Sequence, residues 1–486
     1  MTNRFTHTGA SSQPLGNDQD SGIVSRSAPS VPRGLSAADN KLSIQKGLSA
    51  MQGDQPLQAD KGNLPAQQID KGDPPVPVNK KPLILLILAS AGPGIIAELA
   101  GNDAGGISTF SVAGAQFGLG MLWAVPVAML FLMVVQESAA RMGAVTGKGF
   151  AALIRENFSL KLTTLAMLAL LVANSGTTLS EFAGIAAGME LFGVSKYISV
   201  PVAGLAIWAL LMGGSYRRTE RIFLIISLVF LTYVIAAFIS GPNWNEVAAH
   251  TVVPSVSLES GFIALIIAII GTTVAPWMIF FGQSNVVERG STVKDLFFLR
   301  IDVLSGAVVA CLVVWFIMIT TGTVLFGQGI EVADAADAAK ALEPTVGAAA
   351  QYLFGVGLTG ASFLAACVLP ITTSYAICEA FGWEHGSGRS WSEAAAYKGI
   401  ITAIIAFGCV IVLIPDVGLM GIMLTAQIVN GVLLPVLLVF LLFLINNRRV
   451  MGRWANGRVA NILSVVVVGS IILLSISLFV MQILGW

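Results

Sequence analysis

Asp103 lies in an otherwise apolar stretch of the chain. The run Ile95-Ile96-Ala97-Glu98-Leu99-Ala100 gives way to Gly101-Asn102-Asp103-Ala104-Gly105-Gly106, and apolar residues then resume. An ionised carboxylate at bilayer depth costs at least about 2.5–3.5 kcal/mol on insertion scales. It is tolerated where it faces a wet cavity and meets a cation; the other reading is a structural ion pair. A second apolar run is interrupted in a similar way. After Ile269-Ile270 comes Gly271-Thr272-Thr273-Val274-Ala275-Pro276-Trp277, followed by Met278-Ile279-Phe280-Phe281. Gly and Pro interrupt helices, and unwinding at these points frees carbonyls such as those of Ala100 and Thr272. One carboxylate with carbonyls and water suits a hard cation such as Mg²⁺, Mn²⁺ or Ca²⁺. The expected metal ligands from this pattern are therefore Asp103, Ala100 and Thr272.

Other polar groups stand at similar depth. Glu98, about one turn before Asp103, either widens the negative field of an inner vestibule or pairs with a partner. Glu181 lies midway along a later apolar run, after Thr177-Thr178. Glu137 precedes Arg141 by four residues, the spacing of a helical ion pair. Glu190 falls near the outer end of its run and reads as wet. Gln427 and Asn430 are three apart and share a helix face, so their amides either line a cavity or bond a neighbouring helix. His7, His250 and His385 all fall in tail or connector sequence. Cys311, Cys367, Cys378 and Cys409 sit singly in apolar runs and read as small packing residues. No Ser/His/Asp set, phosphate-binding loop or HExxH motif is present, so enzyme chemistry has no support.

The elements that must position these groups follow from composition. The 486 residues are 55% hydrophobic and 11% charged, formally neutral, with mean hydropathy +0.80. A soluble domain carries about 25% charged residues. Nucleic-acid binding, which needs a basic face, is excluded. The composition describes an all-α polytopic membrane protein, because apolar runs of about 20 residues cross a bilayer as helices. Eleven candidate spans centre near 83–112, 119–140, 162–192, 198–214, 221–240, 259–287, 302–326, 345–380, 398–415, 418–445 and 459–484. Residues 1–79 are rich in Ser, Gly, Asp, Gln, Lys and Pro, with a faint repeat of Ala59-Asp60-Lys61-Gly62 at Ile69-Asp70-Lys71-Gly72. Such a segment cannot bury enough apolar surface to fold. It reads as a disordered cytoplasmic tail, either a plain tether or a partner-binding segment. The transporter domain is 80–486.

Lys and Arg cluster in alternate connectors. Lys80 and Lys81 precede the first span, Arg141, Lys148 and Arg155 follow the second, and Arg217, Arg218 and Arg221 follow the fourth. Arg289, Lys294 and Arg300 follow the sixth, and Arg448, Arg449, Arg453 and Arg458 follow the tenth. The positive-inside rule places the N-terminus in the cytoplasm and, with eleven spans, the C-terminus outside. A plasma (inner) membrane location is expected. The two interrupted spans, first and sixth, are five apart. Broken helices at matching positions of two halves point to an inverted-repeat transporter with its site at the breaks. The halves run over about 83–240 and 259–445, with an extra helix at 459–484.

Several stretches carry a family resemblance. Gly92-Pro93-Gly94 through Asp103-Ala104-Gly105-Gly106, continuing to Gly114-Ala115-Gln116-Phe117-Gly118 and Leu122-Trp123, resembles the first span of the NRAMP divalent-metal transporters. Ala139-Ala140-Arg141-Met142-Gly143-Ala144-Val145-Thr146-Gly147-Lys148 and Thr178-Leu179-Ser180-Glu181 are similar to the same family. The likeness continues, more weakly, to about residue 450. It implies a LeuT-type fold of two inverted five-helix repeats plus one helix. It also implies a metal ligand at Gln427, which aligns with a tenth-span glutamine of the family.

The departures are as informative as the matches. The family's Asp-Pro-Gly-Asn reads Asp103-Ala104-Gly105-Gly106 here, so the Asn ligand becomes Gly106. Its Met-Pro-His reads Ala275-Pro276-Trp277, so both the thioether and the imidazole are gone. Its Thr-Asp-x-x-Glu reads Thr177-Thr178-Leu179-Ser180-Glu181, which keeps one proton-pathway acid and loses the other. Thr178, Glu181 and Trp277 thus mark the family's proton-pathway positions, and Gly106 and Ala275 become selectivity positions. The pattern is similar to the NRAMP-related magnesium transporters of prokaryotes. A thioether favours transition metals, and its loss removes that discrimination against Mg²⁺. A site widened at Gly106 and Ala275 would accept a largely hydrated ion. The expectation is uptake of Mg²⁺, and also Mn²⁺, without obligatory proton coupling and without a resident cofactor. Three other readings stand beside it: a proton-coupled Mn²⁺/Fe²⁺ symporter, an amino-acid carrier of the same fold, and a non-transporting sensor. Its partners are then the metal cargo and the lipid bilayer.

Overall fold

The structure, a computed structural model, describes residues 102–213, 232–329, 332–386 and 388–484. The tail at 1–79, Glu98, Ala100 and the first part of span one lie outside the described residues, as does the arginine cluster at Arg217, Arg218 and Arg221. Among the described residues the chain is helical, with no strand. Numbering the helices of eight residues or more, these are α1 (Ala104–Phe117), α2 (Ala124–Thr146), α3 (Phe150–Asn157), α4 (Leu160–Glu190), α5 (Lys196–Met212), α6 (Thr232–Ile239) and α7 (Trp244–Val252). The second half continues with α8 (Ser260–Thr273), α9 (Pro276–Glu288), α10 (Leu296–Val324), α11 (Ala350–Phe381), α12 (Ala395–Val412), α13 (Leu419–Asn446) and α14 (Arg458–Leu484).

Among the described residues eight helical stretches are long and apolar enough to cross a bilayer, and Lys196–Met212 is a shorter apolar helix. The remaining two expected spans, first and fifth, extend beyond the described residues. The elements follow the order expected of a LeuT-type chain, with α1 as the second half of span one and α8–α9 as the broken span six.

The helix ends follow local chemistry. Ser159 caps α4 and Ser195 caps α5, each accepting from a backbone N–H of the first turn. Gly147 closes α2 and Gly382 closes α11 in the left-handed conformation that favours Gly. Pro276 opens α9, where its missing N–H costs nothing.

Two expectations about the breaks need adjusting. The interruption in span one was expected to run through Gly106, yet α1 already begins at Ala104. The reason is Asp103, whose carboxylate caps α1 and lets Gly105 and Gly106 enter its first turn. The interruption in span six shrinks to Val274 and Ala275, because Gly271–Thr273 complete α8 and Pro276 starts α9.

The core is organised around α4, which packs most extensively on α11 and α13. Helix α1 lies chiefly against α10, and α8 against α13. Gly271 and Gly431 make that last contact possible. A Cβ on Gly271 would stand 2.3 Å from the Gln427 carbonyl, and one on Gly431 would stand 2.4 Å from the Ile267 carbonyl. Backbone-to-backbone approach through small residues is how membrane helices gain packing without a hydrophobic drive.

Candidate functional site at the helix breaks

Asp103 is 2% exposed and stands at the N-terminus of α1. Its Oδ1 accepts from the Gly106 N–H at 2.8 Å. The neighbouring N–H, that of Ala104, donates to Glu181 Oε2 at 3.2 Å, and Glu181 is wholly buried. Two carboxylates therefore share the positive end of one half-helix, where anionic groups are favoured. Glu181 Oε1 has no hydrogen-bond partner among the described residues.

Thr272 approaches from the last turn of α8. A Cβ on Gly106 would lie 3.0 Å from Thr272 Oγ1 and 3.4 Å from Asp103 Oδ1. Thr272 was expected to offer its carbonyl, and the acceptor is open in helical terms, because the residue four ahead is Pro276 and has no N–H. The structure adds the hydroxyl, which is the part turned toward Gly106. Ala275 is buried at the start of α9, its carbonyl accepting from the Met278 N–H at 3.0 Å.

A cavity of about 20 Å³ opens beside Gly106, Asn102, Thr272 and Thr273. That is room for about one water, so in this conformation the site is too tight for a largely hydrated ion. Met278 and Cys311 line the same cavity. Sequence reasoning missed both. Cys311 was read as packing, and Met278 is three residues from the position that lost its thioether. Their α9 and α10 placement supplied no motif to find them by.

Trp277 lies elsewhere. It lines a second cavity of about 60 Å³ with Gln136, Asn285, Arg289 and Asp302, beside the Arg289–Asp302 pair at 3.7 Å. Met278 borders both cavities and forms their shared wall. Trp277 Nε1 has no hydrogen-bond partner among the described residues. Thr178, at the position of the missing acid, donates to the Asn174 carbonyl of its own helix at 2.8 Å. Neither side chain can titrate in the working range.

Gln427 is fully buried and lies against Gly105, where a Cβ would stand 1.8 Å from its Nε2. Asn430, weighed as a vestibule residue, is fully buried and instead bonds across helices. Its Nδ2 donates to Gln427 Oε1 at 2.8 Å and to Thr177 Oγ1 at 2.8 Å. Of the expected residues, then, the structure gathers Asp103, Gly106, Thr272, Glu181 and Gln427 around α1. It sets Trp277 apart, and Ala100 and Glu98 lie outside the described residues. The Glu137–Arg141 pair is present at 3.2 Å, and Arg300 joins it at 2.9 Å. Among the described residues no cluster of three or more His, Cys, Asp or Glu could hold a metal. A cation at this site would rely on one or two carboxylates with neutral oxygens.

Comparison with known proteins bears on this geometry. A family model described as "Natural resistance-associated macrophage protein-like" (Nramp) matches residues 94–481. The divalent metal cation transporter MntH of Verminephrobacter eiseniae is 27% identical over 382 residues, which cover 76% of this chain and 84% of that protein. The MntH of Aeromonas hydrophila is 27% identical over 416 residues, covering 84% of this chain and 98% of its own length. Among solved structures, an Eremococcus coleocola manganese transporter superposes with TM-score 0.66 at 21% identity, covering 83% of this chain and 88% of that one. MhsT in complex with L-phenylalanine superposes with TM-score 0.53 at 14% identity, covering 80% and 98%.

Proposed function

The chain belongs to the Nramp family of multi-pass membrane transporters for divalent metal cations, and on that premise we propose that its cargo is Mg²⁺, with Mn²⁺ also carried, and that transport is not tied to protons. The observation that carries this reading is the donor set at the breaks. Asp103 supplies the charge and Thr272 a neutral oxygen, and Gln427, whose Nε2 now faces Gly105, would add its oxygen after its amide turns. Ala275 and Gly106 leave room where the family resemblance implies a thioether and an amide. Hard oxygen donors suit Mg²⁺, which keeps several of its waters. Because the cavity has room for only about one water, loading requires α1 and α8 to separate, as alternating access around a fixed site provides.

Asp103 anchors the ion. Its Oδ1 stays on the Gly106 N–H, and its second oxygen is proposed as the ligand. Glu181 holds the Ala104 N–H and so fixes the start of α1. Ala100, on the other side of the break, is proposed to add its carbonyl. Glu98 would add negative field to the inner approach. The N-terminus is placed in the cytoplasm and the C-terminus outside the plasma membrane, following the Lys/Arg distribution.

A second reading is favoured by Met278 and Cys311. They put a thioether and a thiol on the wall of the site cavity, and soft donors favour transition metals, so a Mn²⁺/Fe²⁺ symporter with a rearranged site is the competing assignment. An amino-acid carrier is disfavoured, because Asp103 and Glu181 would repel a substrate carboxylate. Uptake into proteoliposomes separates these. Mg²⁺ and Mn²⁺ entry should both be abolished in Asp103→Ala, with the protein still folded. Met278→Leu should leave Mg²⁺ entry intact. Normal uptake by Asp103→Ala refutes the site, and loss of Mn²⁺ but not Mg²⁺ entry in Met278→Leu shifts the Mn²⁺ function to the soft donors.

A further inference from the structure

We propose that Asn430 and Thr177 form a neutral relay that decides whether Gln427 presents its oxygen or its nitrogen to the helix break. This rests on the reading of Gln427 as a cation ligand. In the observed arrangement Gln427 Oε1 is taken by Asn430 Nδ2 at 2.8 Å. Gln427 Nε2 is buried beside Gly105 and has no hydrogen-bond partner among the described residues. The amide thus turns its N–H groups toward α1 and withholds its oxygen. An N–H donor carries positive hydrogens and cannot ligate a cation, so Gln427 is disengaged in this state.

Half a turn of the Gln427 amide exchanges the two ends. Nε2 then needs an acceptor at position 430, and Oε1 faces the site. Asn430 supplies that acceptor if its own amide turns as well, because an amide has a donor end and an acceptor end. Thr177 completes the group. Its hydroxyl now accepts from Asn430 Nδ2 at 2.8 Å and also reaches the Ala173 carbonyl at 3.1 Å and Asn430 Oδ1 at 3.2 Å. A hydroxyl both donates and accepts, so it can serve the turned Asn430 as donor. All three side chains are fully buried. Before the turn the Gln427 nitrogen has no partner among the described residues. After it, that nitrogen is bonded and the ion takes the oxygen. The cation therefore favours the turned state, and the exchange moves neither charge nor proton. Gly105 is what leaves space for the amide at this point.

The test is a mutant cycle on the full-length protein in proteoliposomes, reading KM and kcat for Mg²⁺ uptake. Asn430→Asp puts an acceptor at 430 and should draw Gln427 Nε2 toward it, presenting the oxygen in advance. The expected result is a KM at least threefold lower than in the parental protein, with less than half that change when Gln427→Ala is also present. The remainder in the double variant is the field of the added carboxylate alone. Thr177→Val serves as a second arm if Asn430→Asp does not fold. It should move KM at least threefold, but not in the Gln427→Ala background, while thermal stability stays within that of the parental protein. Equal KM changes with and without Gln427 overturn the relay and leave only a field or packing role. Absence of any divalent-ion uptake by the parental protein overturns the cargo reading, and the relay with it.

Discussion

Replacing Ala275 by Met restores a thioether beside the break, and Gly106→Asn restores an amide. A Cβ at Gly106 meets Thr272 Oγ1 at 3.0 Å and Asp103 Oδ1 at 3.4 Å, contacts that shifts of a few tenths of an ångström relieve. The double variant should bind Mn²⁺ or Cd²⁺ about tenfold more tightly, about 1.4 kcal/mol, and pass less Mg²⁺. Isothermal titration checks this, and an unchanged preference means that softness and size do not set selectivity. Gln427→Ala should reduce uptake only partly, because water can replace a neutral amide oxygen. An effect equal to that of Asp103→Ala would reverse the ranking of the two ligands. Asp103 was legible in the sequence because a carboxylate in an apolar run has few explanations. Its cap on α1 was legible in principle, as Asp is a favoured N-cap residue. The Glu181–Ala104 bond spans 77 positions and the Thr177–Asn430 bond 253, and no local pattern announces such pairings.

At the scale of elements, the site depends on how closely α8 meets α13. Gly431→Leu would drive a side chain against the Ile267 carbonyl, 2.4 Å from the new Cβ. Overpacking of this kind costs about 1–3 kcal/mol. The melting temperature in detergent should drop, and the KM for Mg²⁺ should rise as Gln427 and Thr272 move apart. An unchanged melting temperature and KM would show that this contact does not hold the site. The two broken spans and their spacing were legible from Gly and Pro within apolar runs. The width of each break was not, because it depends on whether a side chain caps the next helix. At Asp103 one does, and at Ala275 the start falls to Pro276 instead.

At the scale of the whole molecule, each of the eight described stretches long and apolar enough to cross the bilayer coincides with one of the eleven spans read from hydropathy, since bilayer thickness fixes helix length. The composition could not reveal whether protons accompany the metal. That depends on titratable groups near the site and on a relay leading away from it. Thr178 bonds its own helix and Trp277 lines a separate cavity. Asp103 and Glu181 remain, but the groups joined to the site through Gln427 are neutral. A divalent ion needs no proton partner to enter a negative interior, because the potential contributes about 2.3 kcal/mol per elementary charge per 100 mV. The most direct measurement follows Mg²⁺ and internal pH together, with trapped indicators, in proteoliposomes under an inside-negative potassium diffusion potential. Mg²⁺ should rise in vesicles holding the parental protein, not in those holding Asp103→Ala, and internal pH should stay level. Acidification in proportion to metal entry, or entry of Mn²⁺ with none of Mg²⁺, would contradict uncoupled magnesium transport at this site.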